Sequence, residues 1–159
     1  MGRKNSKKNK QKERKKQAQG QLLKGALEIT RSGMGFVKIE GMEVDVMIRP
    51  GDFHTALHGD TVLLAIKEMR SSGKRMQGVV KEVLRRKRVE FIGRLQMNKG
   101  FAFFVAEMDK PMPDIFIPIP NLNGAKDNDR VVVKLLDWED NGKRPVGEVI
   151  SVMADEGGN

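Results

Sequence analysis

The sequence contains one unit twice. Gly25-Ala26-Leu27-Glu28-Ile29 returns as Gly93-Arg94-Leu95-Gln96-Met97, displaced by 68 positions. Farther along, the displacement is 69. Asp45-Val46-Met47-Ile48 matches Asp114-Ile115-Phe116-Ile117, Ala56 matches Ala125, and Asp60-Thr61-Val62 matches Asp129-Arg130-Val131. Gly73-Lys74-Arg75 likewise matches Gly142-Lys143-Arg144, and Gly78, Val80 and Val83 match Gly147, Val149 and Val152. A duplicated unit fixes the number of domains before any secondary structure is assigned. Two homologous domains are expected, over residues 21–86 and 87–155, and the single slip between displacements predicts one loop insertion.

Each copy alternates apolar and polar residues over short runs bounded by Gly, Asp, Asn or Pro, which is the period of a strand and not of a helix. Leu27/Ile29, Phe36-Val37, Val44 to Ile48, Val62 to Ile66 and Gly78 to Val83 predict five strands in the first copy, and the second offers the same five. Five strands in about 65 residues, with glycine at the start of the first and inside the second, suit a small barrel whose strands bend tightly. The expected fold class is all-β: two tandem five-stranded OB-fold barrels.

Charge is distributed unevenly between these barrels and what precedes them. The chain has 30 Lys and Arg against 21 Asp and Glu, a net of +9. Nine of the basic residues fall in positions 1–20 against the one acid Glu13, so that segment holds +8 and the remainder only +1. With no apolar residue between Met1 and Ala18, it cannot bury enough surface to offset its ordering entropy, and a disordered basic tail is expected. Such a tail is either an arm for a polyanion or a solubilising extension. A disordered end is also expected over 156–159. Residues 21–90 sum to +4 and residues 91–159 to −3, which suggests that the first barrel steers a phosphate backbone while the second stacks bases.

The same composition excludes several classes. Gln21-Leu22-Leu23-Lys24-Gly25-Ala26 is interrupted too early for a secretory signal, and no apolar run approaches the roughly 20 residues that span a bilayer. The absence of cysteine removes disulfides and thiolate metal sites. A cytoplasmic monomer with no membrane association is expected.

Aromatic planes for bases, with positive charge nearby for phosphates, are what single-stranded RNA requires. In Asn98-Lys99-Gly100-Phe101-Ala102-Phe103-Phe104-Val105, Phe101 and Phe103 share a face by strand alternation and Phe104 takes the other. Phe116 can join them from a neighbouring strand, Lys99 can reach phosphate, and Gly100 and Ala102 are small enough to admit a base. The bland alternative is that all the phenylalanines are core. The first copy has Met34, Phe36 and Met47 at these positions, a softer surface with one ring. Arg85-Arg86-Lys87-Arg88 is the densest basic cluster outside the tail and completes the expected RNA-binding set.

Lys99-Gly100-Phe101-Ala102-Phe103 resembles the first ribonucleoprotein motif of cold-shock domains, Lys-Gly-Phe-Gly-Phe followed by an aliphatic residue, and Asp114-Ile115-Phe116-Ile117 resembles the second. With the tandem arrangement, the basic tail, Ala56-Leu57-His58-Gly59-Asp60-Thr61-Val62 and Val83-Leu84-Arg85-Arg86, residues 21–155 resemble the amino-terminal region of the ribonuclease R family. The resemblance implies two cold-shock domains ahead of a magnesium-dependent 3′ to 5′ exoribonuclease domain and an S1 domain, which would be partners within the same parent chain. It implies no catalytic residue, cofactor or metal site of this chain's own. A free-standing cold-shock RNA chaperone and an OB-fold protein-docking module remain as alternatives.

Catalytic or metal chemistry would need convergent carboxylates and histidines. His54 and His58 lie in a glycine-flanked loop. Asp127 and Asp129 flank Asn128 in a turn, and Asp137, Glu139 and Asp140 fall in a hairpin tip beside Trp138. All read as solvated turns, and no phosphate loop or nucleophile order is present. If the tail is an RNA arm, deleting residues 1–20 flattens the log-log salt dependence of single-stranded RNA binding by about 0.7 for each phosphate that the arm neutralises. An unchanged slope would assign the tail to solubility alone.

Overall fold

A computed structural model describes residues 22–39, 41–42, 45–69, 76–138 and 144–153. The expectations for residues 1–20 and 156–159, Val44, Glu139 and Asp140, together with the matches at 73–75 and 142–143, lie outside the described residues. The chain divides between Arg86 and Lys87 into two units.

The first unit contains β1 (Leu22–Ile29), β2 (Gly35–Ile39), β3 (Asp45–Ile48), β4 (Thr61–Met69) and β5 (Met76–Arg85), closed in the order β1-β2-β3-β5-β4. All pairs are antiparallel except β3 with β5, where Val46, Met47 and Ile48 lie against Met76, Gln77 and Gly78. The second unit repeats the plan with β6 (Glu90–Asn98), β7 (Phe101–Ala106), β8 (Ile115–Pro118), β9 (Arg130–Leu135) and β10 (Gly147–Val152), ordered β10-β9-β6-β7-β8. Its closure is slighter. The parallel pairing that completes the first barrel survives only as a Phe116–Val146 bridge, with Phe116 N–H donating to the Pro145 carbonyl at 2.8 Å. Both units are therefore OB-type barrels, the second a curled sheet joined by one bridge.

Strand alternation delivers the core. In β7 and β8, every second side chain points inward, so Ala102, Phe104, Ile115 and Ile117 are fully buried while Phe101, Phe103 and Phe116 face out. Ala102 is thus a core residue. Its small side chain accommodates packing and not an approaching base, contrary to the sequence expectation. Gly100 occupies the β6–β7 turn at φ 82°, a conformation that glycine adopts without penalty.

Duplication extends to individual hydrogen bonds. Leu27 N–H donates to the Asp60 carbonyl and Gly59 N–H to the Leu27 carbonyl, and Leu95, Asp129 and Asn128 repeat both bonds in the second unit. Two residues farther along each strand, Ile29 N–H donates to His58 Nδ1 at 2.9 Å, and Met97 N–H donates to Asp127 Oδ1 at 2.8 Å. The two acceptors differ in chemistry and agree in position. Asp60 Oδ2 and Asp129 Oδ2 likewise accept from the N–H three residues back, those of Leu57 and Lys126.

The loops differ more than one slip allows. Gly35 lies opposite Ile48 and its counterpart Ala102 opposite Ile117, while Leu27 and Leu95 pair with Val37 and Phe104. The β6–β7 connection is therefore one residue shorter than β1–β2, and the β7–β8 connection two residues longer than β2–β3. Two opposed changes of loop length leave a net displacement that looks like one.

Because His58 acts as a lone-pair acceptor for a backbone N–H, His58→Ala should lower stability by about 1–2 kcal/mol. His58→Asp, which installs the second unit's own solution, should recover most of it. Urea denaturation of both variants measures the difference, and equal losses would mean that the hydrogen bond is immaterial.

Candidate nucleic-acid interface

Neighbouring strands bring three rings together on the outer face of the second barrel. Phe103 lies directly opposite Phe116 across β7 and β8, and Phe101 is two residues away on the same face. Ring centroids are 5.2 Å apart for Phe101 and Phe103, 5.5 Å for Phe101 and Phe116, and 6.3 Å for Phe103 and Phe116. The first pair is edge-to-face at 84°, an arrangement aromatic quadrupoles favour, with each such pair worth about 0.5–1.5 kcal/mol. The rings hold one another in place before any ligand arrives. All three remain half-exposed, so the all-core alternative does not hold for them.

Polar residues frame the rings. Gln96 pairs with Phe103 and Asn98 with Phe101 from β6, both exposed, and Lys99 stands exposed in the adjoining turn. Arg144, which the sequence alone marks only as part of a repeat, lies with its guanidinium 5.2 Å from the Phe103 centroid. The signal for it was weak. A residue near the end of a loop cannot be assigned to a strand face until the loop's path is known.

The first barrel presents the same positions with less to offer. Phe36 lies opposite Met47 as Phe103 does opposite Phe116, and Met34 is half-buried in the β1–β2 turn. On the other side Phe36 pairs with Glu28, a carboxylate where the second barrel has Gln96.

The basic cluster at residues 85–88 is not one surface. Arg86 turns inward: its Nη1 donates to Asp60 Oδ2 and to the Thr55 carbonyl, each at 2.6 Å, and its Nη2 donates to Thr55 Oγ1 at 3.2 Å. Asp60 is 1% exposed and the Arg86 side chain 19%, so this ion pair lies largely within the first barrel and ties the end of β5 to the loop before β4. Arg86 is therefore structural where the sequence suggested an RNA contact. Arg88 lies over the Phe91 ring at 5.2 Å, and Arg85 and Lys87 are exposed. Trp138 is half-buried beyond the end of β9. Among the described residues, no group of three or more His, Asp or Glu side chains is placed to hold a metal ion. No helix among them is long and apolar enough to cross a membrane.

Residues 25–83 match the Ribonuclease B OB domain family and residues 103–159 the Cold shock domain family. Ribonuclease R of Escherichia coli (strain K12) is 31% identical over 137 residues, covering 86% of this chain and 17% of that protein. In sequence, the two units together are similar to the cold-shock region of ribonuclease R. Ribonuclease R of Thermotoga maritima is also 31% identical, over 138 residues, 86% of this chain and 19% of that protein. The chain thus spans under a fifth of the length of these ribonuclease R relatives. Its fold is shared with yeast Ssd1, a pseudonuclease, at TM-score 0.71 and 21% identity, over 98% of this chain and 24% of that one. It is shared equally with Mycoplasma genitalium RNase R in complex with ribose methylated single-stranded RNA, at TM-score 0.71 and 15% identity, over 82% and 21%.

In this ribonuclease R-type tandem, removing Arg86 strands a buried carboxylate. Arg86→Leu should destabilise the protein by about 3 kcal/mol, and Asp60→Asn with Arg86→Leu by less than the two single changes added together. Thermal or urea denaturation of the double-mutant cycle checks this, and strict additivity would show that the pair is not coupled.

Proposed function

We propose that this chain is a single-stranded RNA-binding module that captures RNA for a ribonuclease R-like 3′ to 5′ exoribonuclease. The observation that carries this reading is the outward cluster of Phe101, Phe103 and Phe116, preassembled on adjacent strands with Lys99 and Arg144 at its margin. Base stacking on aromatic rings is tolerant of sequence, because every base has a π-face. That suits a module that must accept successive stretches of one strand.

Hydrolysis and its magnesium are assigned to the nuclease region of such a protein. Among the described residues, no cluster of side chains is fit to hold that ion. The first barrel, with Phe36, Met34 and Met47, would contribute soft apolar contact, and exposed Arg85, Lys87 and Arg88 would contribute charge.

Stacking is worth roughly 1–3 kcal/mol per base, so Phe101→Ala with Phe103→Ala should weaken oligoribonucleotide binding at least about tenfold without altering the melting temperature greatly. Anisotropy titration with single-stranded RNA, and with a duplex as control, reads this out. Unchanged affinity would favour a protein-docking module instead.

A further inference from the structure

The outer face of the second barrel does not end at its rings. Arg94 on β6 pairs with Val105 of β7 on one side and with Arg130 of β9 on the other. Val105 follows Phe103 by two residues, so both face outward. The row Val105–Arg94–Arg130 therefore lies beside the row Phe116–Phe103–Gln96, at the two-residue repeat of a strand, about 6.8 Å. Aromatic and basic rows form one continuous strip across four strands.

The arginines are held in position. Arg94 Nη1 donates to the Asn128 carbonyl at 3.0 Å. Arg130 meets the Glu107 carboxylate through Nε, at 3.1 and 3.2 Å, and through Nη2 at 3.0 Å. This forked geometry is the one a guanidinium also offers to phosphate. The pair is solvent-accessible, with side chains 32% and 43% exposed, and exposed ion pairs are weak enough to exchange for another anion. In the first barrel the same register places Ala26 opposite Thr61, with no charge. The arginine row is an addition particular to the barrel that has the three rings.

We infer that Arg94 and Arg130 form a phosphate-binding extension of the aromatic cluster, with Glu107 as the internal anion that the RNA backbone displaces from Arg130. The ligand is the phosphodiester backbone of a strand whose bases lie on Phe101, Phe103 and Phe116, so the inference rests on the function proposed above. RNA would then cross from β8 over β7 and β6 to β9.

The test uses the full chain with oligoribonucleotides of about 4 and about 12 nucleotides, within the site sizes an OB fold accommodates. Arg94→Gln with Arg130→Gln should weaken the longer ligand about threefold to tenfold and reduce its log-log salt slope by about 1.4, two phosphates at about 0.7 each. The shorter ligand should be unaffected. The double Lys variant should keep the slope, which guards against a folding artefact in the Gln variant. Glu107→Gln should strengthen binding of the longer ligand, an effect that removal of a merely structural ion pair would not produce. An unchanged slope in the Gln variant, or weaker binding by Glu107→Gln, overturns the extension. If the short ligand still depends on Phe101 and Phe103, the RNA-binding reading then stands without it. Absence of binding to either ligand by the unaltered chain removes both.

Discussion

A barrel of five short strands closes only if its first strand can lie against two neighbours at once, and in both units a glycine permits this. Gly93 pairs with Ala106 on one side and Val131 on the other, as Gly25 pairs with Ile39 and Val62. A β-carbon on Gly93 would run into the Val105 carbonyl oxygen and come within 2.8 Å of the Phe104 ring, and one on Gly25 would lie 2.5 Å from Val37 Cγ1. The tight passage lets β6 lie between β7 and β9, and its outer face runs from beside the rings to beside Arg130.

The duplicated barrels show which parts of the plan are fixed by position and which by residue type. His58 and Asp127 accept the same backbone proton, and Gly59 and Asn128 occupy the same left-handed turn position, at φ 89° and 65°. Closure has diverged further. Where the first barrel pairs three residues of β3 with β5, the second satisfies the edge of β10 with side chains. Asn121 Nδ2 donates to the Gly147 carbonyl at 3.1 Å and Asn123 Nδ2 to the Val149 carbonyl at 2.7 Å. These asparagines occupy carbonyls on an edge that strand pairing leaves open, and such an edge otherwise invites another chain.

Net charge misrepresents both units. The first copy is the more positive, yet Arg86 is largely buried against Asp60, and Glu28 stands beside its single outward ring. The second copy is negative overall, yet Arg94, Arg130 and Arg144 all lie on or beside the face that presents three rings. Electrostatic attraction acts at the range of a Debye length, about 8–10 Å, so the placement of a few guanidinia outweighs a sum taken over about seventy residues.

The sequence by itself determined the number of barrels, their strands, and the outward side of Phe101, Phe103 and Phe116. Repetition and a period of two are local properties that survive any tertiary arrangement. It could not determine that Ala102 faces the core beneath those rings, that Arg86 turns inward, or that Arg94, Arg130 and Arg144 adjoin the aromatic cluster. Those facts depend on register between strands distant in sequence and on the close passage of neighbouring strands at Gly93, which are settled only when the barrel closes.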